Sequence, residues 1–207
     1  MDRFKLAKII DVLKKTYSIK IRKERPFEVL IHGLLSHRTK DETTFIAQDR
    51  LLKVADTPEK MLKLSAKSIQ KLIYPVGFYR QKSKNILKSC KILAENYGGK
   101  VPRTKEELMQ LPGVGEKTSD IVLLFAYGED VIPVDTHLEV ISKRWHLADK
   151  KDKPEVVREK LHKLIRKDRA IINQLLVQFG KEICKAPVPK CYMCPVENLC
   201  PYEKKNL

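Results

Sequence analysis

LPGVGEKT, residues 111–118, is the stretch whose reading decides the fold. Ahead of it Thr104 and Glu107 have the spacing of a capping box before Leu108 and Leu111, which predicts the start of a short helix. After it an apolar run reaches about Tyr127 and stops at Gly128, which predicts a second helix. Between the two, Gly113 and Gly115 free the backbone to turn tightly and to present N–H groups at a helix N-terminus. Such a nest accepts a phosphate oxygen, although the same composition also makes an ordinary link between helices. No G-K-[ST] ending stands at the spacing that a nucleotide-triphosphate loop needs. Sequence-independent contact of Gly113, Val114 and Gly115 with a nucleic-acid backbone is the reading that remains.

Outward from this hairpin, nearly every segment shows helical spacing and none a sustained alternation of period two, so the fold class is all-α. Leu6, Ile9, Ile10, Leu13 and Tyr17 fall on one stripe near the N-terminus. A basic link with Lys20, Arg22, Lys23 and Arg25 then leads to Pro26. PFEVLIHGLLS, residues 26–36, is apolar almost all round, as for a helix at the centre of a bundle. Thr57 before Pro58 reads as an N-cap, and Gly98-Gly99 can end the helix that carries Ile86, Leu87, Cys90, Leu93 and Tyr97. Further helices are predicted near 136–147, 154–166 and 169–183.

Lysine and arginine outnumber aspartate and glutamate by 42 to 26, a formal charge of +16, which favours a polyanionic partner over a neutral metabolite. No apolar run approaches the roughly 20 residues that span a bilayer, and MDRFKLAKIIDVLKK lacks the core and cleavage site of a signal peptide. An intracellular protein without a membrane is expected, with nucleic acid as its leading partner.

Chemistry is concentrated at three places. Cys184, Cys191, Cys194 and Cys200 are spaced C-x6-C-x2-C-x5-C, a set that can hold a four-iron cubane or one tetrahedral zinc. Only one pair is close, which suits the cluster better than a zinc knuckle. The neighbouring Lys181, Lys185 and Lys190 would offset its negative charge and can reach phosphates. Lys117 opens a helix, where the dipole disfavours added positive charge and so suits an amine that must attack as a nucleophile. Asp135, in VIPVDTHLEV, reads first as the N-cap of the helix starting at Thr136, a role compatible with catalysis.

LPGVGEKT, then VDTH, then the four-cysteine ending, in this order and spacing, resemble the endonuclease III family of helix-hairpin-helix DNA glycosylases. The resemblance extends through PFEVLIHGLLSHRTKD and PVGFYRQKSKNI and covers nearly the whole chain. It implies a six-helix barrel domain over residues 20–130, with the hairpin at about 105–127. A second helical domain is implied from residues 1–19 and 131–207, ending in a [4Fe-4S] loop at 184–200, with DNA bound between the two. Lys117 matches the family's lysine nucleophile, Asp135 its assisting aspartate and the four cysteines its cluster ligands. The implied activity is removal of damaged pyrimidines from double-stranded DNA, followed by β-elimination at the abasic site, by a monomer in a prokaryotic cytoplasm or nucleoid.

The chain departs from the family at several positions. Arg38 stands where a glutamine is commonly inserted into the DNA stack, Phe78 replaces a leucine used as a second wedge, and Glu116 sits where a basic residue is frequent. A monofunctional mismatch glycosylase resembling the MutY group, or a thymine or uracil remover, is the nearest rival. Lys117, the replacement of the adenine removers' glutamate by Gly33, and the short stretch after Cys200 disfavour it. A non-catalytic metal-stabilised DNA-binding protein is the rival of a different class, and the coexistence of Lys117 and Asp135 argues against it.

Overall fold

A computed structural model describes residues 1–21 and 24–207 as a succession of helices, with no strand among the described residues. Arg22 and Lys23 of the basic link lie outside the described residues. The α-helices are α1 (Arg3–Thr16), α2 (Pro26–Ser36), α3 (Asp41–Val54), α4 (Pro58–Leu62), α5 (Ala66–Ile73), α6 (Tyr79–Tyr97), α7 (Lys105–Met109), α8 (Glu116–Val122), α9 (Thr136–Arg144), α10 (Pro154–Leu164) and α11 (Arg169–Glu182). The chain divides into two compact units, Met1–Arg22 with Asp130–Leu207, and Lys23–Glu129.

In the unit Lys23–Glu129, α2 is central. Pro26 opens it, and Phe27, Val29, Leu30, Ile31, Leu34 and Leu35 are all buried, so three sides of the helix face protein. Helices α3, α6 and α8 pack on it. Burying each such side chain contributes about 1.5–3 kcal/mol. Thr57 caps α4 by accepting from Lys60 N, and Gly98 closes α6 at φ 56°, a left-handed turn that a glycine enters without strain. The capping box forms with a variation. Thr104 Oγ1 accepts from Glu107 N, while the same hydroxyl donates to the Glu107 carboxylate at 2.6 Å instead of leaving that carboxylate to the backbone. The hairpin's second helix reaches Tyr127 as expected, but after Val122 it widens into a π-helical turn, Leu123–Tyr127. Gly128, at φ 74°, ends it, and Tyr127 Oη donates to Val101 O at 2.5 Å.

The other unit is organised by α1, α9, α10 and α11 around one core. Leu6, Ile9, Ile10 and Leu13 of α1 join Leu138, Ile141, Leu175 and Phe179, with the Trp145 and Phe179 rings 5.9 Å apart. Tyr17 does not share the helical stripe. Its N–H donates the last helical bond to Leu13 O and its own backbone is extended, so its ring meets the core from beyond the helix end. Arg169 is buried at the start of α11, with Nε and both terminal nitrogens donating to the carbonyls of Ile165, Asp130 and His162. A planar fork of five donors can satisfy carbonyls from three segments at once.

α8 can lie close to α2 because Gly33 has no side chain. A Cβ there would stand 2.6 Å from Thr118 Cγ2. Gly33→Ala is expected to lower the melting temperature, because overpacking costs about 1–3 kcal/mol against a gain of about 1 kcal/mol in helix propensity. In a Thr118→Ser background, which lacks that methyl, the same change should become neutral or stabilising. An equal loss in both backgrounds would contradict the contact.

Candidate functional site

The hairpin turn is seated on α6. Gly113 takes φ 89°, and a Cβ on it would lie 2.7 Å from Asn85 Nδ2 and 3.1 Å from Leu34 Cδ2, so both its conformation and its surroundings call for glycine. Ser89 Oγ donates to Pro112 O at 3.3 Å. Val114 is buried, and its N–H donates to Leu111 O at 3.0 Å, so this amide is committed to the turn itself. Lys117 is exposed in the first turn of α8. Beside it, the acidic departure at Glu116 is offset locally, since Lys105 pairs with Glu116 and, at 3.1 Å, with the buried Asp120.

In the same unit, the loop after α2 and the turn before α6 carry the two wedge candidates. Arg38 (φ 52°) and Phe78 (φ 57°) both hold left-handed backbone, a conformation that costs a non-glycine residue about 1–3 kcal/mol and persists only where neighbours enforce it. Both side chains are exposed, and the Arg38 guanidinium lies 5.6 Å from the centre of the Phe78 ring. Beneath them is a residue that the sequence reading passed over. Lys82 is 7% exposed, and its ammonium donates to Leu35 O, His37 O and Thr39 Oγ1, none of them charged. Burial pushes it down to about 8. A signal was available, because Lys82 continues the buried stripe Ile86, Cys90, Leu93 at helical spacing. His37 is held below its ordinary value first by desolvation and then by Lys82, Arg38 and Lys117, which puts these four residues in one electrostatic neighbourhood.

Asp135 belongs to the other unit. Its Oδ1 accepts from Leu138 N at 2.9 Å, the N-cap that the sequence predicts for α9. The four cysteines are in this unit too, after α11. Cys184, Cys191, Cys194 and Cys200 line one recess with Trp145, Phe179, Ile183 and Tyr202. Among the described residues, no three Cys, His, Asp or Glu side chains gather as a site for a single metal ion. Burial raises the Cys184, Cys194 and Cys200 thiols, Cys194 to about 11. Arg144, buried on α9, fastens the recess by donating to Cys184 O (2.8 Å), Cys184 Sγ (3.3 Å), Lys185 O (2.9 Å) and Pro187 O (3.0 Å). Lys185 is exposed and Lys190 half-buried.

Residues 31–167 match the HhH-GPD superfamily of base excision DNA repair proteins. Endonuclease III of Thermotoga maritima is 41% identical over 182 residues, covering 87% of this chain and 85% of its own. Endonuclease III of Escherichia coli K12 is 39% identical over 181 residues, with the same coverage of 87% and 85%. Among solved structures, a trapped endonuclease III–DNA covalent intermediate in an estranged-adenine complex is similar with a TM-score of 0.89. It is 33% identical, over 97% of this chain and 96% of that one.

The N-cap geometry separates two roles of Asp135. Asp135→Ala should cost about 1 kcal/mol in urea unfolding, whereas Asp135→Asn, whose amide oxygen can accept the same bond, should stay within a few tenths. Equal stability of the alanine variant and the parent would show that the cap contributes nothing.

Proposed function

The chain belongs to the endonuclease III group of the HhH-GPD superfamily of base excision DNA repair proteins, and we propose that it removes damaged pyrimidines from duplex DNA through Lys117. It is a DNA glycosylase and abasic-site lyase, and the finer reading concerns which residues do this and on what lesion. Lys117, exposed at the start of α8 beside a turn with two glycines, is the observation that carries it.

A base must leave the stack before its C1′ can be reached, and damage lowers the cost of flipping it. Gly113 and Gly115 would hold a phosphate of the lesion strand through their amides, with Lys185 and Lys190 reaching further phosphates. Arg38 and Phe78 would fill the gap left in the duplex. Uncharged Lys117 Nζ would then form a bond to C1′ as the bond to the base breaks. Ring opening gives a protonated Schiff base, and loss of a 2′ proton lets the 3′ phosphate leave with the C3′–O electron pair. Asp135 has one oxygen committed to its helix cap. The other would stabilise positive charge developing on the sugar and relay protons during imine formation.

Cys184, Cys191, Cys194 and Cys200 would hold a [4Fe-4S] cluster. Four cysteines lining one recess would supply the four thiolates that such a cluster needs. Bound there, it would supply four iron–thiolate bonds that close the C-terminal loop. Purified protein should be yellow-brown with about four irons and four sulfides per chain. Zinc at one per chain without sulfide would overturn this assignment. The cellular setting consistent with this reading is a prokaryotic nucleoid.

Lys117→Gln should abolish the adduct that borohydride traps during turnover while still binding damaged duplex. Asp135→Asn should slow base release more than it slows cleavage of a ready-made abasic site, because the amide cannot offset the developing charge. Trapping at the parent level in Lys117→Gln would sink the nucleophile assignment. Unimpaired base release in Asp135→Asn would reduce that residue to its cap.

A further inference from the structure

Lys82 has no part in the chemistry above, yet its ammonium is where two loops meet. Nζ donates at 2.6 Å to Leu35 O, at 2.6 Å to His37 O and at 3.1 Å to Thr39 Oγ1. The same Thr39 oxygen accepts from Gly77 N at 3.1 Å, one residue before Phe78. The two backbones touch there as well, since a Cβ on Gly77 would lie 2.5 Å from Arg38 O. Lys82 N–H in turn donates to Phe78 O at 3.0 Å, so the residue that reaches across also fixes the start of α6. Arg38 and Phe78 are the exposed tips of these two segments, and both are held at positive φ.

We propose that Lys82 is a positioning residue for opening the duplex: it ties the loop of Arg38 to the turn of Phe78, so that the two enter DNA as one preset wedge. This rests on the reading of the chain as a DNA glycosylase. Hydrogen bonds from an ammonium are the strong class, and here they are the internal supports of backbone that neither tip would adopt alone. Without those donors, two inward-facing carbonyls and the Thr39 hydroxyl lose their shared partner, and each loop relaxes separately. A wedge that must be ordered at the moment of binding opens DNA less effectively than one already in shape.

Two readouts test this on the full-length protein. A duplex carrying 2-aminopurine opposite a tetrahydrofuran abasic analogue reports unstacking, and a thymine glycol duplex reports base release in a single turnover. Lys82→Met should bind the first duplex within about threefold of the parent but lose most of the fluorescence rise, and should slow base release about 10–100-fold. In the Arg38→Ala/Phe78→Ala background, where no wedge is left to position, adding Lys82→Met should cost less than about threefold. Equal slowing in both backgrounds, or an unchanged fluorescence rise, would overturn the proposal. Should Lys82→Met fail to fold, Thr39→Val removes the oxygen shared by Lys82 and Gly77 and must show the same dependence on background. A parent protein that unstacks the reporter without releasing the base would defeat the glycosylase reading while supporting the wedge. A parent that leaves the reporter stacked would defeat the wedge itself.

Discussion

The close approach of α8 to its neighbours is the constraint on which the site depends. The role proposed for Lys117 requires that its backbone be held while its side chain stays open, and both conditions are met by leaving atoms out. Gly33 has no side chain where Thr118 arrives, and Gly113 has none where Asn85 and Leu34 close in, so the turn and the helix can rest on α2 and α6 while Lys117 faces outward. Gly113 also takes a backbone conformation that costs other residues strain. The geometry of the turn by itself thus calls for glycine at 113, apart from any contact with a phosphate.

A charge of +16 says that cations are plentiful but not which of them face a partner. The structure separates two populations. Lys82, Arg144 and Arg169 are buried at 7%, 8% and 6% exposure and direct most of their donors to carbonyls of other segments, with Thr39 Oγ1, Cys184 Sγ and the Asp130 carboxylate as further partners. They act as cross-links in places where no regular structure pairs the backbone. Arg38, Lys117 and Lys185 are exposed, as the contacts proposed for them with phosphate or sugar require. Lys105 belongs to neither group. It offsets Glu116 and Asp120, and so keeps the start of α8 from presenting unpaired negative charge beside Lys117.

Features set by local chemistry were legible in the sequence. The caps at Thr57, Thr104 and Asp135 and the stop signals at Gly98 and Gly128 are found where the residue types put them, because each needs only its own next few residues. The all-α class follows from apolar spacing for the same reason. What was not legible depends on distant segments. Lys82 continues a buried stripe that the sequence shows, but what its ammonium meets is set only when the loops after α2 and before α6 are both in place. The π-helical widening after Val122, the displacement of Tyr17 from its stripe and the commitment of Val114 N–H to the turn likewise have no composition of their own. Of the candidate site, Lys117, Asp135 and the four cysteines are proposed from motif and resemblance, whereas the support beneath Arg38 and Phe78 comes from the structure alone.

The account turns on which amine meets the sugar, and a chain this rich in lysine offers many. The most direct measurement is to reduce the parent protein with borohydride during turnover on damaged duplex, digest the adduct with protease and nuclease, and locate the retained sugar fragment by tandem mass spectrometry. The fragment should be found on Lys117, within the peptide that contains Gly115 and Thr118. A fragment carried by Lys82, Lys84 or any other lysine, with Lys117 unmodified, would contradict the account.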